Sequence, residues 1–388
     1  MGTGRLPAMA SDEGSRPLPV IMTCDCTAGV PGRDIDDALA LLYLRGVPER
    51  VRLLAACATH GNDTTTVTYG ALCRLSERFA PGLAVVRGAD GPMPAVELDY
   101  DGRPVVASSP SKANETARAD VATSSSTPPV LLESTPCSDA ARYIADSLAT
   151  SPGRVALLST GATTDLALAE CLRPGTLRRA RAISLMGGIT HTLLVGGRIM
   201  DELNLSVDHE STCVVLGATA GHGPYVGSDG SLRFPRFIFP GNPRAGDAAD
   251  SNASRSHPTV LIADAWSCLD VALDAERLVS FLEGVGPRAR AFAHEAVVPW
   301  ADHLRWHWGP GGFVCWDALA AVALAEPELV TLEEFDVALD PRMLSVGLLE
   351  RAQDDGIPRS RVSLVHVADP AELCAHLCDA WARALGGD

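Results

Sequence analysis

Short apolar runs separated by polar loops and helical segments recur along most of this chain and predict the order of its elements. Six mainly apolar runs have the length of buried strands, at 18–22, 51–58, 83–86, 155–159, 182–186 and 259–263. Helical spacing of apolar positions follows, for example at 38–43 and 138–149. The alternation of strand, loop and helix predicts an α/β fold, a single domain with a mostly parallel central sheet flanked by helices.

Three segments depart from this alternation. Residues 1–17 lack the apolar stretch of a signal peptide and predict a disordered N-terminal arm ahead of one domain over 18–388. Residues 95–130 are rich in Ser, Thr and Ala and predict a long loop, either mobile or a lid. Residues 217–258 are rich in Gly, Pro and Ser, so we expect a loop insertion there and not a second domain.

Composition narrows the classes of partner. A net charge of −16 and a pI near 5.0 argue against binding a nucleic-acid polymer or an anionic membrane. A neutral or cationic small molecule is therefore the expected partner. No apolar stretch reaches the roughly 18 residues of a transmembrane helix. The eleven cysteines are scattered, mostly in apolar segments and without a paired CxxC zinc pattern, and predict reduced thiols in a cytoplasmic protein.

The segment directly after the first predicted strand holds the strongest signal for chemistry. Asp25, Asp34, Asp36 and Asp37 fall within thirteen residues of one loop and helix start. Carboxylates this close repel one another, and a hard cation such as Ca²⁺ or Mg²⁺ relieves the repulsion. A polar loop with an aspartate that caps the helix is the simpler interpretation, but it accounts for only one of the four.

Polar or glycine-containing segments also follow the other predicted strands, at 59–63, 87–92, 160–165 and 187–188. Because parallel strands end at one edge of a sheet, we expect 59–63 and 87–92 to share a rim with the acidic loop at 23–37, where a ligand binds. Two later segments carry more polar candidates, 200–210 and the pair Trp316 and Asp317 at a predicted helix start. Asp317 could also serve only as a favourable partner of the helix dipole.

In this order, the segments resemble the calcium-dependent nucleoside hydrolases, the inosine-uridine preferring and purine-specific family. The resemblance covers about residues 18–340 and rests on seven short blocks. They are 34–41 (DIDDALAL), 61–62 (GN), 88–90 (GAD), 160–167 (TGATTDLA), 185–188 (LMGG), 202–210 (ELNLSVDHE) and 316–317 (WD). Each block is weak alone, and the specificity comes from finding all seven in order.

The resemblance implies a nucleoside-hydrolase-like fold and hydrolysis of the N-glycosidic bond of ribonucleosides to ribose and free base. It implies that Asp25 and Asp37 bind Ca²⁺ through their carboxylates, with the backbone carbonyl of Thr160 and with Asp317 as the remaining protein ligands. Asp25 would also be the general base for a calcium-bound water. The implied ribose contacts are Asp36, Asn62, Met186, Glu202 and Asn204.

Trp316 stands where one branch of the family has a histidine acid, and it is similar to the stacking tryptophan of the purine-preferring branch. The resemblance therefore implies a purine nucleoside substrate and base stacking on Trp316. It also implies a homo-oligomer, either a dimer or a tetramer. His60 and His191 lie on predicted rim loops, where either could supply an acid in place of the missing histidine.

The first motif departs from the family pattern. Thr23 stands where the family has its first aspartate, and three extra residues separate Asp25 from Asp36. If Asp25 aligns with that first aspartate instead, the metal position falls on Thr27, and Asp34 could take its place. Two alternative functions stay open: a catalytically inactive nucleoside- or sugar-binding protein on the same scaffold, or another metal-dependent hydrolase of phosphatase type.

Overall fold

An eight-stranded sheet forms the centre of the protein in the computed structural model. Its strands are β1 (Leu18–Cys24), β2 (Val51–Ala58), β3 (Ala84–Arg87), β4 (Ala156–Ser159), β5 (Ala182–Met186), β6 (Thr259–Ala263), β7 (Val330–Ala338) and β8 (Arg359–Val367). They lie in the order β7-β8-β6-β5-β4-β1-β2-β3. Neighbouring strands of this sheet are parallel, except β7 and β8, which are antiparallel. The predicted α/β fold with a mostly parallel sheet is confirmed.

Helices flank this sheet. The longer ones are α1 (Asp36–Gly46), α2 (Thr65–Phe79), α3 (Asp139–Thr150), α4 (Thr164–Leu172), α5 (His209–Thr219), α6 (Ala275–Val285), α7 (Val298–Trp308), α8 (Ala318–Ala325) and α9 (Pro370–Leu385). Short helical segments are Leu177–Arg179, Ala265–Cys268, Pro287–Phe292, Ala293–Val297, Pro327–Leu329 and Pro341–Leu344. Four small strand pairs are Glu97–Leu98 with Pro104–Val105, Leu194–Val195 with Arg198–Ile199, Tyr225–Val226 with Leu232–Arg233, and Ala272–Leu273 with Phe313–Val314.

The structure describes residues 16–93, 97–98, 104–105, 137–195, 197–226, 232–235, 257–308, 313–353 and 356–386. The predicted arm at 1–17, the loop at 95–130 and the insertion at 217–258 lie largely outside these residues, and they stay predictions.

Within the described part, no helix is long and apolar enough to cross a membrane. All eleven cysteines are described, and none of them forms a disulfide.

Strand β1 is central because both of its faces are covered. Val20 and Met22 belong to the apolar core on one face of the sheet, and Ile21 belongs to the core on the other face. All three side chains are fully buried. Successive side chains of a strand point to opposite faces, so a strand covered on both sides must be apolar at every position. This explains why the run at 18–22 is continuous and does not alternate.

Three adjacent strands bring their following loops to one level at the carboxyl edge of the sheet. β1 lies between β2 and β4. Beyond the strands, Thr59 N–H donates to the Cys24 carbonyl at 2.9 Å, and Thr160 N–H donates to the Thr23 carbonyl at 2.9 Å. The parallel ladder therefore fixes where Asp25 emerges relative to the loops that follow β2 and β4.

The C-terminal helix α9 packs on α1 through Trp381. This side chain is fully buried, and its Nε1–H donates to the Leu39 carbonyl at 2.8 Å. Helix α1 carries Asp36 and Asp37 in its first turn. The packing of the C-terminus therefore stabilises the helix from which two of the candidate site residues project.

We predict that Trp381→Ala lowers the free energy of unfolding by about 3–5 kcal/mol, because it leaves a large cavity between α9 and α1. The measurement is urea unfolding followed by circular dichroism. As a control, Ile199→Ala truncates a side chain that is 71% exposed and should change stability by less than about 0.5 kcal/mol. Equal effects of the two substitutions would contradict the packing described here.

Candidate metal and substrate site

Five aspartates converge beneath the carboxyl ends of the strands: Asp25, Asp34, Asp36, Asp37 and Asp317. Carboxylate oxygens of Asp34, Asp36 and Asp37 all lie within 4.8 Å of one another, an arrangement that could hold a metal ion. The pKa of Asp317 is raised well above its usual range. Burial is the largest cause, and repulsion from the other four aspartates adds to it. The loop after β1 and the start of α8 thus place their acidic residues in one group.

Asp25 is held by the backbone of the loop after β2. Its Oδ2 accepts the Asn62 backbone N–H at 2.6 Å, and its Oδ1 accepts from Asn62 Nδ2 at 3.4 Å. Gly61 has a φ of +152°, and a Cβ there would lie 1.9 Å from Asp25 Oδ2, so only glycine permits this approach. Burial and the nearby Asp34 raise the pKa of Asp25 to about 7, although the Asn62 N–H lowers it.

Asp37 has one carboxylate oxygen that receives no hydrogen bond. Its Oδ1 accepts from Thr160 Oγ1 at 2.6 Å, whereas the buried Oδ2 has no partner. Burial and repulsion from Asp25 and Asp36 raise the pKa of Asp37 well above its usual range. A buried oxygen without a donor, beside four other carboxylates, suits a divalent cation. The residues present therefore fit the metal that the resemblance implies.

Helix capping does not account for these aspartates. The residue at the N-cap of α1 is Ile35, and no side chain caps that helix. Asp317 occupies the N-cap position of α8, but its side chain makes no capping hydrogen bond. Asp36 Oδ1 accepts the Asp37 N–H at 3.2 Å in the first turn of α1, and this one contact does not account for the other aspartates of the group.

The structure places residues of both possible alignments of the first motif near the acidic group. The Thr27 hydroxyl is buried and donates to the backbone carbonyl and Oδ1 of Asp34, both at 3.2 Å. Thr27 thus orders the loop, and the Asp25 carboxylate lies among the other acidic groups. Asp34, which the sequence offered only as a substitute, also belongs to the group.

An open cleft lies above the aspartates. Eight of the ten predicted site residues line it: Asp36, Asn62, Thr160, Met186, Glu202, Asn204, Trp316 and Asp317. Asp25 and Asp37, the other two, are 1% exposed and lie below its floor. The structure therefore brings together all ten residues that the sequence resemblance selected.

Asn204 and Glu202 are themselves ordered by backbone groups. Asn204 Nδ2 donates to the carbonyl oxygens of Thr160 at 3.1 Å and Met186 at 3.2 Å. Glu202 accepts the backbone N–H groups of Leu205 at 2.8 Å and Ser206 at 3.0 Å, one on each carboxylate oxygen. Glu202 thus stabilises its own loop as well as lining the cleft.

Sequence reasoning missed the apolar and acidic residues that the 193–201 hairpin contributes to the cleft. Leu193 and Met200 line it, and Met200 N–H donates to the Leu193 carbonyl at 3.0 Å. Asp201 lines it as well. The hairpin's two strands have two residues each, too short for a periodic signal. No Lys, Arg or His is among the described residues that line the cleft, which agrees with the expected neutral or cationic ligand.

Neither candidate histidine is among the described residues that line the cleft. His60 Nε2 lies 2.9 Å from Thr164 Oγ1 in a buried position. His191 stacks on Trp266, with ring centroids 4.1 Å apart, and its carbonyl accepts from Trp266 Nε1 at 3.0 Å. Both histidines therefore have structural partners close to the rim.

Asp165, within the block at 160–167, is a buried carboxylate beside the site. Its Oδ1 accepts the Ala89 N–H at 3.0 Å and the Ser138 hydroxyl at 2.5 Å, but Oδ2 has no partner. Burial raises the pKa of Asp165 from its ordinary value of 3.8 to about 6. The buried Thr59 hydroxyl interacts with this carboxylate and lowers its pKa, but less than burial raises it. An amide at position 165 would remove the buried charge and add a donor.

Comparison with known proteins gives a family and several similar folds. The family model described as "Inosine-uridine preferring nucleoside hydrolase" matches residues 20–350. A purine-preferring ribonucleoside hydrolase from Gardnerella vaginalis superposes with a TM-score of 0.65 at 16% identity, covering 95% of this chain and 99% of that one. A plant nucleoside hydrolase superposes with a TM-score of 0.61 at 16% identity, covering 94% and 99%.

A third solved structure, an inosine-uridine preferring nucleoside hydrolase from Bacillus anthracis, superposes with a TM-score of 0.54 at 16% identity. The superposition covers 94% of this chain and 99% of that one. A search of curated proteins found no match. At this identity the structural likeness establishes the fold, and the family match over most of the chain establishes the relationship.

We predict that Asp165→Asn stabilises the protein at pH 7.5 by up to about 3 kcal/mol, following the rise of the folded-state pKa from 3.8 to about 6. Because the folded state raises the pKa of Asp165, the ionised side chain lowers the free energy of unfolding of the wild type, fully so above about pH 6. This loss of stability becomes smaller as the pH falls towards 4. The gain should therefore shrink with acidification. Urea unfolding at pH 7.5 and 4.5 measures it, with the exposed Asp379→Asn as the control. A gain that is equal at both pH values would contradict the account.

Proposed function

Because this chain belongs to the inosine-uridine preferring nucleoside hydrolase family, we propose that it hydrolyses the N-glycosidic bond of ribonucleosides to ribose and free base. The observation that carries the proposal is the group of five aspartates at the floor of an open cleft. The lining of the cleft includes polar side chains that can bind hydroxyl groups, and also Trp316 and apolar side chains. A polar sugar and a flat base require these two kinds of side chain.

We propose Ca²⁺ as the cation of the site. The Asp25, Asp37 and Asp317 carboxylates and the Thr160 carbonyl would hold it, and Asp34 lies close enough to contribute. When bound, the ion would offset the carboxylate charge and act as a Lewis acid that makes water more acidic. Oxygen donors of this type are those that Ca²⁺ prefers.

The residues of the chain then perform three tasks. Asp25, fixed by the Asn62 N–H, accepts the proton of the attacking water as general base. Asp36, Asn62, Met186, Glu202 and Asn204 bind and orient the ribose from the cleft wall. The carboxylates beneath the sugar stabilise the positive charge that develops at C1′ as the glycosidic bond breaks. The electron pair of that bond leaves with the base.

Trp316 gives the cleft an aromatic wall for the departing base. It is half-buried and lines the cleft next to Asp317. A flat purine offers more area for stacking on an indole than a pyrimidine does. We therefore propose a preference for purine nucleosides, with stacking on Trp316.

Ribose release from a panel of purine and pyrimidine nucleosides, with and without a calcium chelator, tests the reaction. We expect release from at least one nucleoside, loss of release on chelation and recovery on adding Ca²⁺. Asp25→Asn keeps the side-chain shape but removes the proposed general base, so turnover should fall by roughly 10²–10⁴-fold. Folded protein that releases no ribose but is stabilised thermally by nucleosides would instead support the inactive binding-protein alternative.

Trp316→Ala tests the base preference separately. We expect it to raise KM for purine nucleosides by about tenfold, the effect of losing one or two kcal/mol of stacking, and to affect pyrimidine nucleosides less. Trp316→Phe retains an aromatic face and should recover much of the loss. Unchanged purine turnover in Trp316→Ala would show that the base does not stack on this side chain.

The resemblance also leads us to propose a cytoplasmic homo-oligomer, a dimer or tetramer. Light scattering after size exclusion measures the mass directly. A mass of one chain, 40.7 kDa, at micromolar concentration would contradict the proposed assembly.

A further inference from the structure

A buried chain of three side chains joins loops from three parts of the site. His60 Nε2 lies 2.9 Å from Thr164 Oγ1, and Thr164 Oγ1 donates to Asp208 Oδ2 at 2.5 Å. The three residues are 6%, 0% and 3% exposed. This series of hydrogen bonds runs from the loop after β2, through the start of α4, to the N-cap of α5. None of the three residues lines the cleft.

The hydrogen positions in this chain follow from the number of donors. A threonine hydroxyl has one hydrogen, and Thr164 gives it to Asp208. Thr164 Oγ1 must therefore accept from His60, so His60 Nε2 carries a hydrogen. Burial lowers the pKa of His60, partly offset by Asp208, which favours a neutral ring with its hydrogen on Nε2.

Asp208 is a rigid end point for the chain. Its Oδ1 caps α5 by accepting the Ser211 N–H at 3.1 Å. Its Oδ2 accepts the Ser211 hydroxyl at 2.6 Å and the Met93 N–H at 2.8 Å in addition to the Thr164 hydroxyl. A carboxylate with four donors is fixed in position, so the orientation of the Thr164 hydroxyl, and through it His60, is fixed as well.

Each member lies a few residues from a cleft-lining residue. His60 is two residues before Asn62, Thr164 is four after Thr160, and Asp208 is four after Asn204. His60 also directly precedes Gly61, whose backbone lies against the Asp25 carboxylate. An anchor at His60 therefore restricts the backbone segment whose Asn62 N–H is 2.6 Å from Asp25 Oδ2.

We propose that His60 is a positioning residue, held by Thr164 and Asp208, which fixes the 61–62 backbone so that the Asn62 N–H orients the Asp25 carboxylate. It does not touch the substrate. Its catalytic consequence rests on the proposed function, but its structural consequence, an ordered Asn62 amide, does not. An outer hydrogen-bond partner of this kind typically changes activity by roughly 10- to 100-fold when removed.

Matched substitutions at Thr164 and His60 separate the hydrogen bonds from the packing. Thr164→Val removes the hydroxyl at constant shape, and Thr164→Ser retains it. His60→Leu removes the donor, and His60→Gln can place an amide N–H near the position of Nε2. Circular dichroism and urea unfolding establish that each variant is folded before it is compared.

The first readout needs no activity. In amide-resolved NMR of the full chain, we expect slow hydrogen exchange at the Asn62 amide in the wild type, Thr164→Ser and His60→Gln, and exchange at least tenfold faster in Thr164→Val and His60→Leu. Imidazole ¹⁵N shifts should place the His60 hydrogen on Nε2. A hydrogen on Nδ1, or equal Asn62 exchange in Thr164→Val and Thr164→Ser, would overturn the proposal.

The second readout is kinetic and applies once the wild type releases ribose. We expect kcat to fall by roughly 10- to 100-fold in Thr164→Val and His60→Leu, with smaller changes in KM and recovery in the conservative variants. A wild type without activity would refute the proposed function and leave the exchange result to decide the role of His60. Equal kcat in all variants of an active enzyme would refute the catalytic role.

Discussion

Repulsion among five clustered aspartates, four of them buried and Asp34 partly buried, is the constraint on which the rest of the site depends. Like charges in a buried position are tolerated only when donors or a cation stabilise them. The chain supplies some donors itself, the Asn62 N–H to Asp25 and the Thr160 hydroxyl to Asp37. One Asp37 oxygen remains without a partner. The protein thus provides an incomplete set of donors, and a divalent cation would complete it.

The fold explains why these groups meet. Parallel strands end at one edge, and β1, with Asp25 at its end, lies between the strands that carry the Asn62 and Thr160 loops. Close approach of backbone to carboxylate requires glycine at position 61. Behind these loops, the hydrogen bonds from His60 to Asp208 restrict the same backbone. The site therefore depends on buried polar contacts that are not part of the cleft surface.

Much of this arrangement could be predicted from the sequence. Strands at 51–58, 182–186 and 259–263 match the apolar runs residue for residue, because strands covered on both faces are apolar at most positions, with exceptions such as the exposed Arg52. The ordered motif blocks contain nine of the ten proposed site residues, and the tenth, Asp25, directly follows the first strand. The 193–201 hairpin could not be predicted, since strands of two residues carry no period. The hydrogen bonds that join His60, Thr164 and Asp208 could not be predicted either. The two end residues lie 148 positions apart in sequence, and only the tertiary fold brings them together.

Calorimetric titration of the metal-free protein with Ca²⁺ tests the central claim most directly. The account predicts one saturable site in the wild type and in Asp201→Asn, which alters a carboxylate of the cleft rim outside the five-aspartate group. It predicts binding weakened by at least roughly tenfold in Asp37→Asn, which removes the charge at the unpartnered oxygen. A wild type that binds no Ca²⁺, or an Asp37→Asn variant that binds it as tightly as the wild type, would contradict the account.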